Sequence, residues 1–262
     1  MTSRRFLTFA LVALGLTLAV GGHRGSPRTG LAVAEPATSS SLVEKSRYVF
    51  GWNGLSAAVA EYTLSRGFHD GHPVLEFEGK ARTTEMVDNL WRMRDSVTAQ
   101  TDARTLLPRR FQLLRRENST RLDTLLVHDP QEGKFRVERF KRGLLRKGTL
   151  PSDGVYDPVS AMLLVRREGL PPGKTRVIKV TEGKRIYEVT LRSLKRERIV
   201  AVGREVPALK IALDYRATDG SASSADEGIT STFLWVSDDP DHQILRLEAD
   251  ALLGTFFGER VS

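Results

Sequence analysis

Residues that could bind a metal ion occur at two places in the sequence. His69 and His72 lie in one short turn, and imidazole nitrogens are common ligands of Zn²⁺ and other transition metals. Residues 238–241 carry three carboxylates in four positions, which is the oxygen chemistry that Ca²⁺ prefers. Histidines in turns are more often only solvated, acidic turns between strands are common, and the chain has no cysteine. The sequence therefore predicts no metal site and no cofactor.

Catalytic motifs are absent from the sequence. There is no Gly-x-Ser-x-Gly nucleophile elbow, no His-Glu-x-x-His motif and no glycine-rich phosphate loop. No nucleophile can be paired with a general base, so a hydrolase is the function class with the least support. We therefore assign no catalytic residue and favour a non-enzymatic function.

Arg166 is the charged residue with the most unusual setting. It follows Ala161–Val165, a run that is apolar on all sides and is typical of a buried helix. A buried guanidinium is costly unless it is paired. We expect an ion pair that holds the helix on the sheet, with a ligand carboxylate or phosphate as the alternative. The expected partners are Asp153, Asp157 or Glu248.

The segment that ends in this arginine has the pattern of an α-helix. Asp157 is a preferred N-cap residue, and Pro158 suits the first helical turn, where its missing N–H costs nothing. Apolar side chains then recur at helical spacing, which predicts a largely buried helix from Asp157 to Arg167. A second, short helix is predicted within Thr84–Arg92.

The rest of the chain alternates apolar and polar residues with a period of two. Tyr48, Phe50 and Trp52 show this pattern, and turn-forming residues interrupt it about every 8 to 12 residues. The pattern predicts an all-β, mostly antiparallel fold: a curved sheet or a half-barrel or sandwich, with one or two short helices packed on it. A meander is the simplest topology. Further predicted strands are Ser96–Thr101, Arg109–Arg115, Thr120–His128, Lys134–Lys141, Lys174–Thr181, Arg185–Ser193, Glu197–Val202, Pro207–Tyr215, Thr230–Val236, Gln243–Ala249 and Gly254–Arg260.

The first residues have the three parts of a secretory signal peptide. Arg4 and Arg5 form a basic start, Phe6–Val20 is an uncharged apolar run, and Ala32–Ala34 forms an A-x-A site. We predict a cleaved signal and an exported or periplasmic protein; cleavage near Val20–Gly22 and an uncleaved anchor are the alternatives. The predicted organisation is a signal peptide and leader over 1–34, a flexible lead-in over 35–45 and a single β-rich domain over 46–262.

The formal net charge of +8 is concentrated in part of the chain. The predicted leader contributes arginines and no acid, whereas Lys and Arg elsewhere are interspersed with Asp and Glu. Residues 109–147 are locally more basic, which is compatible with contact to an anionic membrane surface. An ordinary solvated surface of mixed charge is the favoured alternative. Nucleic acid is not expected as a partner, because an exported protein is in the wrong compartment for it and because no aromatic residues are interleaved with the basic ones for stacking.

Four segments carry a family resemblance. Residues 157–166 have the spacing D-x-x-S-A-x-x-x-x-R, and Tyr48–Leu55, Leu170–Gly173 and Phe233–Asp239 lie in order around them. Together these segments resemble an uncharacterised bacterial envelope family, domain of unknown function 3108, over residues 46–258. The resemblance implies a periplasmic β-rich fold and does not point to any particular enzymatic activity. The departures from its pattern are Asn53 and His242–Ile244.

Two functions are consistent with these features. The first is a non-enzymatic periplasmic protein whose curved sheet binds an apolar or lipid-like ligand, such as an acyl chain, beneath the helix. The second is a structural or assembly factor of the envelope that binds a protein partner. An empty apolar interior favours the first and a filled core the second. The candidate ligand-binding residues are Trp52, Phe77, Trp91, Phe111, Met162, Arg166 and Trp235.

Overall fold

The first half of the chain forms strands that follow one another as a meander. The computed structural model describes residues 41–226, 228–252 and 254–262. Up to residue 151, the elements are β1 (Ser41–Trp52), β2 (Leu55–His69), β3 (His72–Thr83), α1 (Glu85–Asp88), β4 (Arg94–Asp102), β5 (Pro108–Glu117), β6 (Thr120–Asp129), β7 (Lys134–Lys141) and β8 (Leu144–Pro151).

The second half adds the longer helix and the remaining strands. Its strands are also consecutive hairpins, apart from the short β9, which precedes the helix. The elements are β9 (Val155–Tyr156), α2 (Pro158–Glu168), β10 (Thr175–Thr181), β11 (Ile186–Ala201), β12 (Arg204–Ala217), β13 (Ile229–Ser237), β14 (Ile244–Ala251) and β15 (Gly254–Arg260).

All fifteen strands of the described residues belong to one sheet, in the order β8-β7-β6-β5-β4-β3-β2-β1-β15-β14-β13-β12-β11-β10-β9. Pairing of β1 with β15, with Tyr48 opposite Arg260, joins the two halves. The short β9 runs parallel to β10, and the other pairs are antiparallel. The sheet is nearly closed and barrel-like, which confirms the predicted all-β, mostly antiparallel fold.

The turn between β10 and β11 brings the two halves into contact across the barrel. Gly183 in this turn has φ +91°, and a Cβ there would lie 2.7 Å from Thr124 Cγ2 and 2.9 Å from Leu126 Cδ1. Both the backbone conformation and the close approach therefore require glycine. Next to it, Glu182 reaches across to Arg115 on β5, at 3.2 Å.

Alternation along the strands separates an inner face from an outer face. The inner face supplies the main core, whose largest fully buried side chains come from both halves of the sheet. A smaller cluster around Trp235 lies apart from it, with Ala201, Ala208 and Leu245. The largest buried core residues are Tyr48, Met93, Phe111, Leu113, Leu126, Phe135, Ile211 and Ile244.

Helix α2 confirms the prediction made from its cap and spacing. It spans Pro158–Glu168, begins after the N-cap Asp157, and its residues from Pro158 to Leu164 are buried. The predicted short helix is present but smaller: α1 covers Glu85–Asp88 within the predicted Thr84–Arg92. A single turn of helix is all that the β3–β4 connection holds.

The first strand begins earlier than the sequence predicted. The predicted lead-in covered 35–45, but Ser41 to Lys45 belong to β1, so the prediction was wrong for these five residues. They lack a clear apolar alternation, yet pairing with β2 fixes them, with Ser41 opposite Arg66 and Lys45 opposite Thr63. The rest of the lead-in and the predicted signal over 1–34 lie outside the described residues. Among the described residues, no helix has the length and apolarity required to cross a bilayer.

Candidate apolar ligand site

A small apolar cavity lies between helix α2 and the inner face of β10–β14. Its volume is about 70 Å³. The helix forms one wall and five consecutive strands form the other, because their inward side chains alternate with outward ones. The lining residues are Pro158, Ala161, Met162 and Val165 of α2, and Ile178, Val180, Val189, Leu191, Leu213, Tyr215, Thr232, Leu234 and Ile244 of the strands.

The composition of the wall suits a hydrocarbon. Tyr215 and Thr232 are the lining residues that carry a polar side-chain group. An apolar void of roughly 150 Å³ can hold a benzene molecule, so this cavity, at about half that volume, has room for a short piece of an alkyl chain. Val165, Val189 and Leu213 in the wall are only partly buried, so the cavity reaches towards the surface.

The N-terminus of α2 is fixed by a fully buried carboxylate. Asp157 Oδ1 accepts hydrogen bonds from the backbone N–H groups of Val159, at 2.7 Å, and Ser160, at 3.1 Å. The Ser160 hydroxyl in turn accepts from the Asp157 N–H, which completes a capping box. Burial raises the pKa of Asp157 to about 6, although these hydrogen bonds act in the opposite direction.

The C-terminal end of α2 is held by an ion pair with the first strand. Arg166 Nη2 lies 2.8 Å from Glu44 Oε2, and the two side chains are 12% and 9% exposed. The sequence prediction of Asp153, Asp157 or Glu248 as the partner was wrong. Glu44 lies in the segment that the sequence assigned to the flexible lead-in, and only the pairing of β1 with β2 brings it beneath the helix.

Glu44 is the centre of a small polar network in an otherwise apolar region. The Tyr62 hydroxyl donates to Glu44 Oε1 at 2.6 Å, the Ser46 hydroxyl donates at 2.7 Å, and Arg260 Nη2 lies 4.0 Å away. Burial by itself raises the pKa of Glu44, but the Tyr62 hydrogen bond and the charge of Arg166 outweigh it and leave that pKa below its usual value. The carboxylate is therefore stable in its charged form.

The structure disperses the seven residues predicted as ligand contacts. Met162 lines the cavity, whereas Phe77 and Phe111 are buried in the main core. Trp91 packs partly buried against that core, and Trp52 is 43% exposed beside the β1–β2 turn. Trp235 faces the outside of the sheet, where its Nε1 donates to Glu197 at 2.7 Å, and Arg166 is engaged with Glu44.

The strand residues of the cavity wall had not been singled out in the sequence. Ile178, Val180 and Leu213 are aliphatic, and the search for a ligand site favoured the large aromatic residues. Their inward orientation follows from the period-two pattern of β10 and β12. What the pattern does not show is which of many inward aliphatic positions face the helix across an unfilled space.

The two sites considered for metals are occupied by local turn contacts. His69 lies opposite His72 in the β2–β3 hairpin, and its Nε2 is 3.4 Å from Asp70 Oδ2. In the acidic turn, Asp239 Oδ1 accepts hydrogen bonds from the Ser237 hydroxyl and the Asp241 N–H. Within the described ranges, no group of three or more His, Cys, Asp or Glu residues is arranged to hold a metal ion.

Comparison with known families identifies the chain by its sequence. Residues 47–260 match the family described as Protein of unknown function (DUF3108). The chain belongs to the DUF3108 family. No curated protein matches it.

Solved structures resemble this DUF3108 chain in fold. A beta-barrel-like protein of domain of unknown function DUF1849 from Brucella abortus matches with a TM-score of 0.53 at 12% identity, covering 83% of this chain and 95% of that one. Two weaker matches each cover 83% of this chain and 93% of theirs, at 8% identity. They are a protein described as exported, with a YmcC-like fold, from Bacteroides fragilis (TM-score 0.31) and one described as a lipoprotein from Parabacteroides distasonis (0.33). Identities this low support a conclusion about the fold alone. Only the first match, with its TM-score of 0.53, is similar enough for that conclusion.

The DUF3108 helix pattern can now be interpreted residue by residue in this chain. Asp157 and Ser160 form the capping box, Ala161 lines the cavity and Arg166 binds Glu44. His242, which departs from the family pattern, also contacts the helix: its Nδ1 lies 2.9 Å from the Arg166 carbonyl oxygen. The residues that carry the family resemblance thus fix both ends of α2 and form part of the cavity wall.

Proposed function

We propose that this protein is a non-enzymatic envelope protein that binds an apolar ligand, the end of an acyl chain, in the cavity beneath α2. The observation that carries the proposal is the unfilled space of about 70 Å³ between Met162 and the strands. Cores of proteins are close-packed, and a void lined by aliphatic side chains is costly unless something fills it. A saturated chain supplies the dispersion contacts that such a wall lacks.

The cavity volume limits what can enter without rearrangement. A whole lipid needs more space than about 70 Å³, so we infer that a chain end enters first. The partly buried Val165 and Leu213 mark the side from which it would enter. A longer ligand requires α2 to move away from the strands, while the cap at Asp157 and the Arg166–Glu44 pair act against that movement.

An exported, periplasmic location is part of the proposal. Its support is the basic, apolar and small-residue order of the first 34 residues in the sequence. An acyl-chain binding protein is useful in this compartment because lipids must pass between membranes through water.

The experiment fills the cavity from the helix side. Met162→Trp adds volume at a lining residue, so a fluorescent fatty-acyl probe should bind the wild type and lose at least about tenfold in affinity for the variant. Met86→Trp is the matched control, since Met86 lies exposed on α1, outside the cavity lining, and should leave probe binding unchanged. Thermal melting of both variants establishes that they are folded.

The outcomes separate a ligand cavity from a packing defect. If the wild type takes up no acyl probe and yields no lipid on extraction, the acyl-binding proposal is wrong. Equal probe affinity of wild type and Met162→Trp would place binding elsewhere on the protein. If Met162→Trp is destabilised by about 1–3 kcal/mol, the cavity cannot accept added volume.

A structural or assembly factor that acts through a protein surface is the second candidate. Exposed apolar side chains favour it, because they occur at four turns that the antiparallel order places at one end of the barrel. If the folded wild type binds no acyl probe and yields no lipid on extraction, this second function remains. The four side chains are Leu55, Leu90, Leu144 and Leu252.

A further inference from the structure

Cations from four elements converge at one end of the barrel interior. Arg115 lies on β5, Arg139 and Lys141 on β7, Arg146 on β8, and Lys184 in the turn between β10 and β11. Across the sheet, Arg139 is directly opposite Arg146. Leu122 of β6 is directly opposite both Arg115 and Lys141. Directly opposite residues project from the same face, so these side chains share one side of the sheet.

That side is the inner one. The inward orientation of β6 and β7 follows from Thr124 and Val137, whose side chains lie against Gly183 of the opposing turn. Arg139 and Lys141 lie two and four residues after Val137 and therefore share its face. The β10–β11 turn carries Lys184 to this place from the opposite wall, which is shown by the 3.2 Å contact of Glu182 with Arg115.

Among the described residues, the carboxylates at this place, which are Glu182, Asp95 and the buried Glu117, are fewer than the five cations. Arg115, only 3% exposed, pairs with Glu182, and Asp95 beside it already accepts a hydrogen bond from the Arg116 N–H at 2.8 Å. In the part of the chain that the structure describes, the remaining four cations form no salt bridge: Arg139, Lys141, Arg146 and Lys184.

Buried donors at this place also have no acceptor. The Nε atoms of Arg115 and Arg139 are buried, and neither has a hydrogen-bond partner in the described residues. An unpaired buried donor is costly, and a charged one more so. Partial desolvation, and then the charges of Arg142 and Arg139, lowers the pKa of Lys141 although its side chain is exposed. Partial desolvation, followed by the charges of Arg185 and Arg139, likewise lowers the pKa of Lys184.

The geometry points to a binding site for a phosphate-class anion, either inorganic phosphate or a phosphate ester such as a lipid headgroup, among Arg115, Arg139, Lys141 and Lys184. A phosphate has several acceptor oxygens, which match the guanidinium donors, and its charge removes the repulsion between the cations. Arg115 forms the bottom of the site, Arg139 is half-buried, and the exposed Lys141 and Lys184 form its mouth.

The basic segment 109–147 thus differs from a uniformly solvated surface. Several of its arginines are neutralised: Arg109 pairs with Asp102 at 2.8 Å, and Arg121 pairs with the buried Asp123 at 2.6 Å. Arg116 pairs with the same aspartate. Arg110 and Lys134 on the outer face also form no salt bridge in the described residues, so unpaired cations occur on both faces. What distinguishes the inner cations is that the opposing turn adds a further cation to their face.

The test compares two pairs of cations on the same strand. Arg139→Gln with Lys141→Gln removes the inner pair, and Lys134→Gln with Arg136→Gln removes an equal charge from the outer face of β7. Calorimetric titration with inorganic phosphate, at constant ionic strength set with chloride, should show binding to the wild type. We expect the inner variant to lose about tenfold or more in affinity and the outer variant less than about twofold.

Two results would overturn the proposal. One is a wild type that does not bind phosphate, and the other is an equal loss in the inner and outer variants, which would mean general charge attraction. If the inner double variant does not fold, Lys141→Gln alone serves, because Lys141 is exposed and makes no salt bridge in the described residues. That variant should weaken phosphate binding, and unchanged affinity would contradict the site.

Dodecyl phosphate distinguishes the two sources of the anion. Val180 lines the apolar cavity and Glu182 lies two residues further along the chain, so an amphiphile could reach both places. This comparison rests on the proposed acyl-binding function, whereas the phosphate titration does not. Tighter binding of dodecyl phosphate than of phosphate, reduced to the phosphate value by Met162→Trp, supports a lipid headgroup. Equal affinities for dodecyl phosphate and inorganic phosphate support free phosphate as the ligand. That result would contradict the acyl-binding proposal and leave the anion site intact.

Discussion

Two buried charge clusters lie in the same barrel, and they differ in how their charges are matched. Around Glu44, each charged group reaches one of opposite sign: Arg166 lies at 2.8 Å and Arg260 at 4.0 Å. Around Arg115, one carboxylate, Glu182, is in contact and several cations remain without a salt bridge in the described residues. In the second cluster the cost of burial is offset for Arg115 by Glu182, but not for the half-buried Arg139, whose Nε has no partner in the described residues.

The difference indicates different roles. At the end of α2 the charges are matched and hold the helix on the sheet, although Arg166 Nη1 has no hydrogen-bond partner in the described residues. An unmatched set of cations adds nothing to the stability of the fold and is available to an anion. The comparison therefore predicts opposite responses to the removal of an arginine from each cluster.

The largest expected effect is that of Arg166→Met. It leaves Glu44 buried with its hydrogen bonds to Tyr62 and Ser46 but without its nearest cation, which should cost about 3–5 kcal/mol in the free energy of unfolding. Urea denaturation at pH 7 measures the loss. The control is Arg198→Met, which breaks an ion pair with Glu205 that is about 60% exposed on both sides and should cost less than about 1 kcal/mol.

A double variant sharpens this result. Adding Glu44→Gln to Arg166→Met removes the uncompensated charge, so the double variant should be more stable than Arg166→Met alone. Additive losses would show that the two side chains do not interact, and the helix would then be held by packing alone.

The next effect concerns the other end of α2 and depends on pH. Burial raises the pKa of Asp157 to about 6 in the folded protein. The protonated side chain therefore contributes its full stability below the pKa that Asp157 has in the unfolded chain, and this contribution is lost as pH rises through 6. Asp157→Asn keeps a good cap without titrating. From pH 4 to pH 7, the wild type should therefore lose up to about 3 kcal/mol relative to Asp157→Asn.

Unfolding free energies of both proteins at pH 4, 5, 6 and 7 test this prediction. Asp95, whose pKa burial likewise raises to about 6, titrates in both proteins and cancels in the difference. A difference that is constant with pH would mean that burial does not raise the pKa of Asp157.

The smallest effect is expected for Arg139→Gln in the unmatched cluster. Removing a cation that repels Arg115 should leave the free energy of unfolding unchanged or raise it by at most about 1 kcal/mol in phosphate-free buffer of low salt. The same denaturation series measures it. A loss as large as that of Arg166→Met would contradict the comparison, since Arg139 would then have an essential partner.

Much of the fold could be predicted from local sequence. The cap residue Asp157 and the spacing after it predicted α2, and the period-two pattern predicted most strands. Strand β8 was missed because all of Leu144–Pro151 except the partly buried Leu150 is exposed at the edge of the sheet, so no alternation marks it. The hairpin turn at Asn53 was also apparent, and its side chain in addition accepts a hydrogen bond from the Thr255 N–H at 2.9 Å.

The candidate sites depended on long-range contacts. The partner of Arg166 was sought nearby in sequence and in the closing strands, but it is Glu44, from a segment without apolar alternation. The aromatic residues chosen as ligand contacts turned out to lie in several places, because residue size indicates burial and does not indicate which buried side chains surround a space.

By itself, the sequence determined the strand-rich class, the buried helix with its cap and the family. These depend on neighbours within a few positions, whose periodicity shows which side of an element is buried. Only the tertiary structure decided that β1 pairs with β15, that Glu182 meets Arg115 and that an unfilled space remains beneath α2. Periodicity gives the face on which a side chain projects, whereas the residue it meets there depends on sheet order and curvature.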